Sequence, residues 1–152
     1  FTPTTKAEEG HDENMTMEEV EEVAGKEVTQ RMAEIAIVVY EFAHDLALKK
    51  GVIIADTKME FGLLGDDLIL IDELLTPDSS RFWDVTHYRP GQSQPNFDKQ
   101  YVRDWLIESG WNREPPAPSL PPDVVSRTRD RYVEAYERIT DRKWTGLDGG
   151  QG

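Results

Sequence analysis

The chain has 152 residues, 38% of them hydrophobic, with 17 Lys and Arg against 30 Asp and Glu and a formal charge of −13. That length suits one domain with a buried core and an attached helical subdomain, and the charge argues against a nucleic-acid or polyanionic-membrane partner, so an anionic substrate must be held by local cations. The absence of cysteine excludes disulfides and thiolate metal ligation; no apolar run approaches the ~20 residues of a membrane span and no signal peptide is visible, so the cytoplasm is the expected compartment.

Residues 1–14 hold Pro3, Gly10 and many small polar residues without an apolar face, which by composition is a solvated loop. A first residue of Phe, opening directly into a polar loop, suggests a fragment or processed piece. Thr16 and Glu19 have capping-box spacing, so a short acidic helix should start at Met17. Gly25 interrupts it, and a longer helix should follow over residues 26–50, with Val28, Met32, Ile35, Val39, Phe42 and Leu46 as a core-facing stripe. Lys49, Lys50 and Gly51 end that helix. His44 is a boundary residue, and a lone loop histidine such as His11 is most simply polar surface.

The chain is organised around residues 55–81. In an extended run, Asp56, Lys58, Glu60 and Gly62 share one face and Thr57, Met59, Phe61 and Leu63 the other. Val52 to Ala55 form a buried lead-in. Leu68 to Ile71 is apolar on both faces until Asp72 and Glu73, as in an interior strand. A three-residue loop at Gly65, Asp66 and Asp67, the one expected here, sets Leu64 against Leu68 and Glu60 against Asp72; a two-residue loop would send Asp72 to the opposite face. Two carboxylates about 5 Å apart repel by roughly 3 kcal/mol at an effective dielectric of about 20. A bound Mg²⁺ completed by water and phosphate relieves this, and so does Lys58 in a purely structural ion-pair cluster.

Beyond Asp72 the chain leaves the sheet through Pro77, with Asp78, Ser79 and Ser80 as turn residues. Arg81 has a planar fork suited to phosphate or carboxylate. Residues 84–97, with two prolines and a glycine, are long enough without periodicity to suggest a lid or active-site loop; His87 and Tyr88 receive no role. A helix over about 98–109 should turn Val102, Trp105 and Leu106 inward and stop at Gly110. It sets Lys99 and Arg103 four residues apart on one face. Residues 111–122 are a proline-rich surface connection. A last helix over about 122–141 places Val124, Thr128, Tyr132, Ala135 and Ile139 inward, with Arg127, Arg129 and Arg131 pairing with nearby acids. Residues 143–152, rich in glycine, read as a mobile tail.

Several of these stretches together resemble one family. Asp-Thr-Lys-Met-Glu-Phe-Gly at 56–62, Ile-Asp-Glu at 71–73, Thr-Pro-Asp-Ser-Ser-Arg at 76–81 and Phe-Asp-Lys-Gln-Tyr-Val-Arg at 97–103 resemble, in the same order, phosphoribosylaminoimidazole-succinocarboxamide synthase, the SAICAR synthetase of purine biosynthesis. The resemblance implies an α+β fold, an antiparallel sheet with packed helices, equivalent to the carboxy-terminal part of a two-lobed, kinase-like or ATP-grasp-like enzyme. It divides the chain into a substrate-facing loop over 1–14, a metal- and substrate-binding domain over 15–142 and the tail. It also implies ATP-dependent ligation of L-aspartate to carboxyaminoimidazole ribonucleotide, with Mg²⁺. On this basis Glu60 and Asp72 are expected to hold the metal and Lys58 to stabilise charge at the transferring phosphoryl group or substrate carboxylate. Asp56 orients Lys58 or acts as a base. Lys6, Asp12, Asp78, Ser80, Arg81, Lys99 and Arg103 are expected to bind substrate groups.

The family's amino-terminal half, with its glycine-rich nucleotide loop, has no counterpart in these residues, so the missing half is the expected partner and the isolated chain is expected to be inactive. Inositol polyphosphate kinases carry a similar Asp-x-Lys-x-Gly motif; here Glu60 stands at its glycine and Val52 at the proline four before its aspartate. A noncatalytic acidic interaction domain is the reading from a different class, marked by indifference to Mg²⁺ and nucleotide in thermal melting.

Overall fold

A computed structural model of the chain describes residues 1–6, 12–92, 94, 96–97 and 99–146. Its elements are α1 (Met17–Ala24), α2 (Lys26–Lys49), β1 (Val52–Thr57), β2 (Glu60–Leu64), β3 (Asp67–Ile71), β4 (Ser80–Asp84), α3 (Gln100–Glu108) and α4 (Pro122–Thr140). Helices and antiparallel strands give the expected α+β class. The strands form two separate two-stranded sheets, β1 with β4 and β2 with β3, rather than one sheet built on the hairpin. Among the described residues no helix is long and apolar enough to cross a membrane.

Two compact units can be distinguished, Phe1–Phe42 with Met59–Glu73, and Ala43–Lys58 with Leu74–Gly152. In the first, the opening segment folds back on itself through the Thr4–Asn14 bridge and bonds from Thr5 N to Glu13 O and Met15 N to Pro3 O, both 2.9 Å. It then enters α1 through the expected capping box: Thr16 Oγ1 accepts from Glu19 N at 3.2 Å and Glu19 Oε2 accepts from Thr16 N at 2.7 Å. Gly25, at φ 82°, separates α1 from α2.

Of the apolar stripe expected on α2, Val28, Met32, Ile35 and Val39 are half-buried, and its last two residues are exposed. Phe42 is 73% exposed and Leu46 45%. The buried residues of the helix are Thr29 and Ala47, about five turns apart and so on one face. Thr29 Oγ1 donates to Gly25 O at 2.9 Å. Small residues let a helix approach its neighbours closely, which spacing of large apolar residues does not reveal.

The β2–β3 register also differs from expectation. Glu60 lies opposite Ile71, Phe61 opposite Leu70, Gly62 opposite Ile69, Leu63 opposite Leu68 and Leu64 opposite Asp67. The loop is therefore Gly65-Asp66, and the positive φ falls on Gly65 (63°), as a two-residue turn with glycine first requires. Asp72, at φ 61°, lies past the strand instead of facing Glu60. Lys58 and Met59 break the extended run between β1 and β2, so side-chain parity does not carry from Asp56 to Glu60.

In the second unit the core gathers Ala47, Val52, Ile54, Phe82, Phe97, Val124 and Ala135, all at most 5% exposed. β4 was expected to be the exit from a sheet; it is a strand whose Ser80, Phe82 and Asp84 all point inward. It pairs Val52 with Asp84, Ile54 with Phe82 and Asp56 with Arg81, with an irregularity between Ile54 and Asp56. Helix α4 matches its expected inward face through buried Val124 and Ala135. The first residues of the supposed tail are held against α4: Lys143 pairs with Glu137 at 2.7 Å, and the Trp144 ring meets Tyr136 edge-on at 5.4 Å. Residues 147–152 and His11 lie outside the described residues.

Candidate active site

In the second unit the register pair Asp56–Arg81 brings together two of the expected site residues. Arg81 Nε donates to Asp56 Oδ1 and Oδ2, both at 2.9 Å, and its Nη2 also donates to Oδ2. Those bonds from Arg81 hold the Asp56 carboxyl below its ordinary 3.8; partial burial opposes them, and the charges of Arg81 and of Arg103 on α3 add to them. Asp56 and Arg81 are thus an ion pair, on which the charge of Arg103 is the smallest of these influences. The fork of Arg81, expected to grip a substrate anion, is engaged by Asp56, whose expected partner was Lys58. Lys58 is an exposed residue whose backbone N donates to Ser79 O at 2.7 Å.

The remaining expected residues of this unit have defined places. Ser80 is buried, and its Oγ donates to Thr57 Oγ1 at 2.8 Å, which ties β4 to β1. The turn expected at Asp78 is closed by Thr76: Asp78 N and Ser79 N both donate to Thr76 Oγ1 at 3.2 Å. Asp78 Oδ1 accepts from Tyr132 Oη on α4 at 2.8 Å. Lys99 sits at the N-cap of α3 without a side-chain capping bond, and its carbonyl accepts from Arg103 N at 3.1 Å.

The first unit holds Lys6, Asp12, Glu60 and Asp72. Lys6 Nζ forms an ion pair with Glu60 Oε2, the glutamate side chain being 12% exposed. That contact fixes the opening segment to the hairpin. Asp12 and Asp72 are exposed. Among the described residues no three His, Asp or Glu side chains group as a metal site. Glu60 lies opposite Ile71 at the open end of the hairpin and Asp72 one residue beyond that pair.

Several contributors were not anticipated. Trp83 of β4 stacks on Tyr88 with centroids 5.8 Å apart, and these two join Arg81, Gln94, Asn96 and Gln100 in lining a cleft of about 330 Å³. The 84–97 segment is pinned at both ends. At one, Asp84 accepts from Thr86 N at 2.8 Å and Thr86 Oγ1 at 2.6 Å and pairs with Arg138 at 3.0 Å. Burial alone would raise the Asp84 carboxyl; the Thr86 bonds and the Arg138 charge outweigh it and lower it to about 2. At the other, Phe97 N donates to Phe82 O at 2.9 Å, and Arg131 donates to Asn96 O while its guanidinium lies 4.8 Å from the Tyr101 ring centroid. Arg127 donates to Tyr101 Oη at 3.2 Å. Neither Arg127 nor Arg131 makes the acid pair expected of it in these contacts; Arg129 does, with Asp130 at 3.9 Å. The alternation of Ser80, Phe82 and Asp84 was the sequence signal for β4, obscured by its two polar members.

A family model described as SAICAR synthetase matches residues 1–118. The chain belongs to the SAICAR synthetase family. Its relatives include the phosphoribosylaminoimidazole-succinocarboxamide synthases of Maridesulfovibrio salexigens, 52% identical over 142 residues (93% of this chain and 48% of that protein), and of Candida albicans, 52% identical over 145 residues (95% and 50%). Among solved structures, SAICAR-synthase from Saccharomyces cerevisiae, complexed with SAICAR, superposes with a TM-score of 0.80 at 45% identity over 89% of this chain and 46% of that one. A type-2 SAICAR synthetase in complex with ADP gives 0.70 at 28% identity, over 95% and 52%. The chain thus spans about half the length of the relatives it matches.

Proposed function

We propose that this chain is the part of a SAICAR synthetase that carries the substrate anion site and the metal-binding carboxylates, acting in the cytoplasm once the remaining half of the enzyme is present. The observation that carries the reading is the Asp56–Arg81 ion pair in the second unit, in a chain of that family. A carboxylate anion does not accept an amine readily. Transfer of the γ-phosphoryl group of ATP to the carboxylate of carboxyaminoimidazole ribonucleotide gives an acyl phosphate and ADP. The aspartate amine attacks the acyl carbon, the new C–N bond replaces the C–O bond to phosphate, and phosphate and a proton leave. This chemistry needs cations on the spreading phosphoryl charge and a site that excludes water.

In this reading Arg81, Arg103 and Lys99 receive anionic substrate groups, and Lys58 stabilises charge at the transferring phosphoryl group. Asp56 orders Arg81 before substrate arrives. Asp78, held by Tyr132, and Ser80 shape the wall beside them, and Lys6 and Asp12 contact substrate from the opening segment. Glu60 and Asp72 would hold Mg²⁺, which would take the place of the Lys6 ammonium on the Glu60 carboxylate. The metal, when bound, neutralises phosphate oxygens of the nucleotide.

The test is aspartate-dependent phosphate release from Mg-ATP and carboxyaminoimidazole ribonucleotide, comparing this chain alone with this chain plus the remaining half of a relative. Activity confined to the mixture is the expected result, and in it Glu60→Gln and Asp72→Asn should each abolish Mg²⁺-dependent turnover. Full turnover by either variant would remove the metal assignment. No turnover by a folded, associated mixture would overturn the ligase reading.

A further inference from the structure

We propose that Gln94 is a positioning residue for the anion site at Arg81: its side chain fixes the turn over residues 88–92 as a standing wall of the cleft, which is therefore formed before any ligand arrives. The proposal rests on the ligase reading only for the identity of the anion that Arg81 receives.

Arg81 and Trp83 alternate with the inward-facing Ser80, Phe82 and Asp84 of β4 and so share its outer face. Tyr88 lies flat on Trp83, the ring planes 15° apart, and beyond it Gly91, Gln92 and Gln94 line the same cleft as Arg81. The turn there has Pro90 second and Gly91, at φ 76°, third, the residues that suit a type II turn at those places. Its closing bond, from Gln92 N to Arg89 O, is long at 3.4 Å, against the ~2.7–3.2 Å of an ordinary N–H···O bond. The turn holds itself poorly.

Gln94 supplies what is missing. Its Oε1 accepts from Arg89 N at 2.9 Å, and its Nε2 donates to Arg89 O and to Gln92 O, both at 2.5 Å. One carboxamide thus satisfies both backbone groups of Arg89, as a neighbouring strand would, and clamps the two ends of the turn together. Gln94 also stands two residues from Asn96, which bridges Trp83 and whose carbonyl accepts from Arg131, so it passes that anchorage on to the tip of the loop. The 84–97 segment is thereby a fixed active-site loop rather than a moving lid. With its oxygen and nitrogen engaged on backbone, the Gln94 amide acts on an anion at Arg81 through the wall, not by touching it. A wall already ordered has less conformational freedom to lose on binding.

The experiment compares this 152-residue chain with two variants. Gln94→Met keeps the length of the side chain and removes its bonds; Gly91→Ala adds a methyl that meets no atom within 4 Å and so strains the same turn through its backbone alone. Amide exchange at Arg89 reads the wall, and inorganic pyrophosphate titrated against the NMR shift of Arg81 Nε reads the site. Both variants should speed Arg89 exchange at least fivefold and weaken pyrophosphate binding at least threefold, with circular dichroism and α4 amide protection unchanged. Unchanged binding in Gln94→Met, weakening without faster exchange at Arg89, or weakening in Gln94→Met alone would each overturn the proposal, the last by making the amide a ligand contact. No response of Arg81 to pyrophosphate in the unsubstituted chain would remove the anion site and the proposal with it. In the mixture with the remaining half of a relative, Gln94→Met should raise KM for carboxyaminoimidazole ribonucleotide at least threefold and leave kcat within twofold; a fall in kcat at unchanged KM would overturn the positioning role. Pyrophosphate binding is read without turnover, so an inactive mixture beside weakened binding in both variants would count against the ligase reading and leave the role of Gln94 standing.

Discussion

At the scale of single residues, two aspartates of the second unit are held ionised, Asp56 by Arg81 and Asp84 by Thr86 and then Arg138, with different consequences. Asp56 sits below its ordinary 3.8 because Arg81 donates to both of its oxygens. Arg81→Gln should therefore move the Asp56 carboxyl upward in a carbon-13 NMR titration, and an unchanged midpoint would show that the ion pair does not persist in solution. Asp84, lowered from 3.8 to about 2, contributes stability that is complete above pH 3.8 and is lost as the pH falls toward 2, because the unfolded chain takes up the proton first. Arg138→Met should cost about 2 kcal/mol at pH 7, the worth of a hydrogen bond to a charged group. It should also shrink the further loss on acidification, since the folded carboxyl then titrates closer to its unfolded value. Urea unfolding of both proteins at pH 7 and pH 3 measures the two effects together. The pairing of Asp56 with Arg81 was not legible beforehand: both residues were singled out for chemistry, but only the β1–β4 register, which depends on recognising β4, makes them neighbours.

At the scale of elements, the helices were read well and the strands less so. Capping chemistry is local, so Thr16 and Glu19 located the start of α1, and α4 declared its inward face through Val124 and Ala135. Thr16→Ala should cost about 1 kcal/mol, seen as faster amide exchange at Val20, whose N donates to Thr16 O at 3.1 Å. β4 is hidden in the sequence because Ser80 continues the turn residues Pro77, Asp78 and Ser79 and because two of its three inward side chains, Ser80 and Asp84, are polar. Their burial is supported by Thr57, Thr86 and Arg138, which are distant or inconspicuous in sequence. The β2–β3 register failed on a single residue, Asp67, which joins the strand rather than the loop. Gly65 alone supplies the positive φ of the turn, so Gly65→Ala should destabilise the hairpin by about 1 kcal/mol, measured by exchange at the Leu68 and Leu70 amides. An unaffected hairpin would mean that the turn relaxes to a different type.

At the scale of the whole molecule, family membership came from motif order, and the α+β class from alternating helical and extended patterns. The division into two units was not visible, because α2 runs through the boundary without a break in its sequence. Nor did composition reveal that Lys6 and Arg81, two of the few cations in a chain of charge −13, already face Glu60 and Asp56. The Asp56–Arg81 pair in particular has a consequence for ionic strength. An arginine already neutralised at contact range projects little field, so an approaching anion first meets the repulsion of the chain as a whole. That repulsion reaches about 30 Å at 0.01 M salt and about 8 Å at 0.15 M. Pyrophosphate should therefore gain little affinity as salt falls through that range, unlike at an ordinary basic anion site, when followed by the NMR shift of Arg81 Nε.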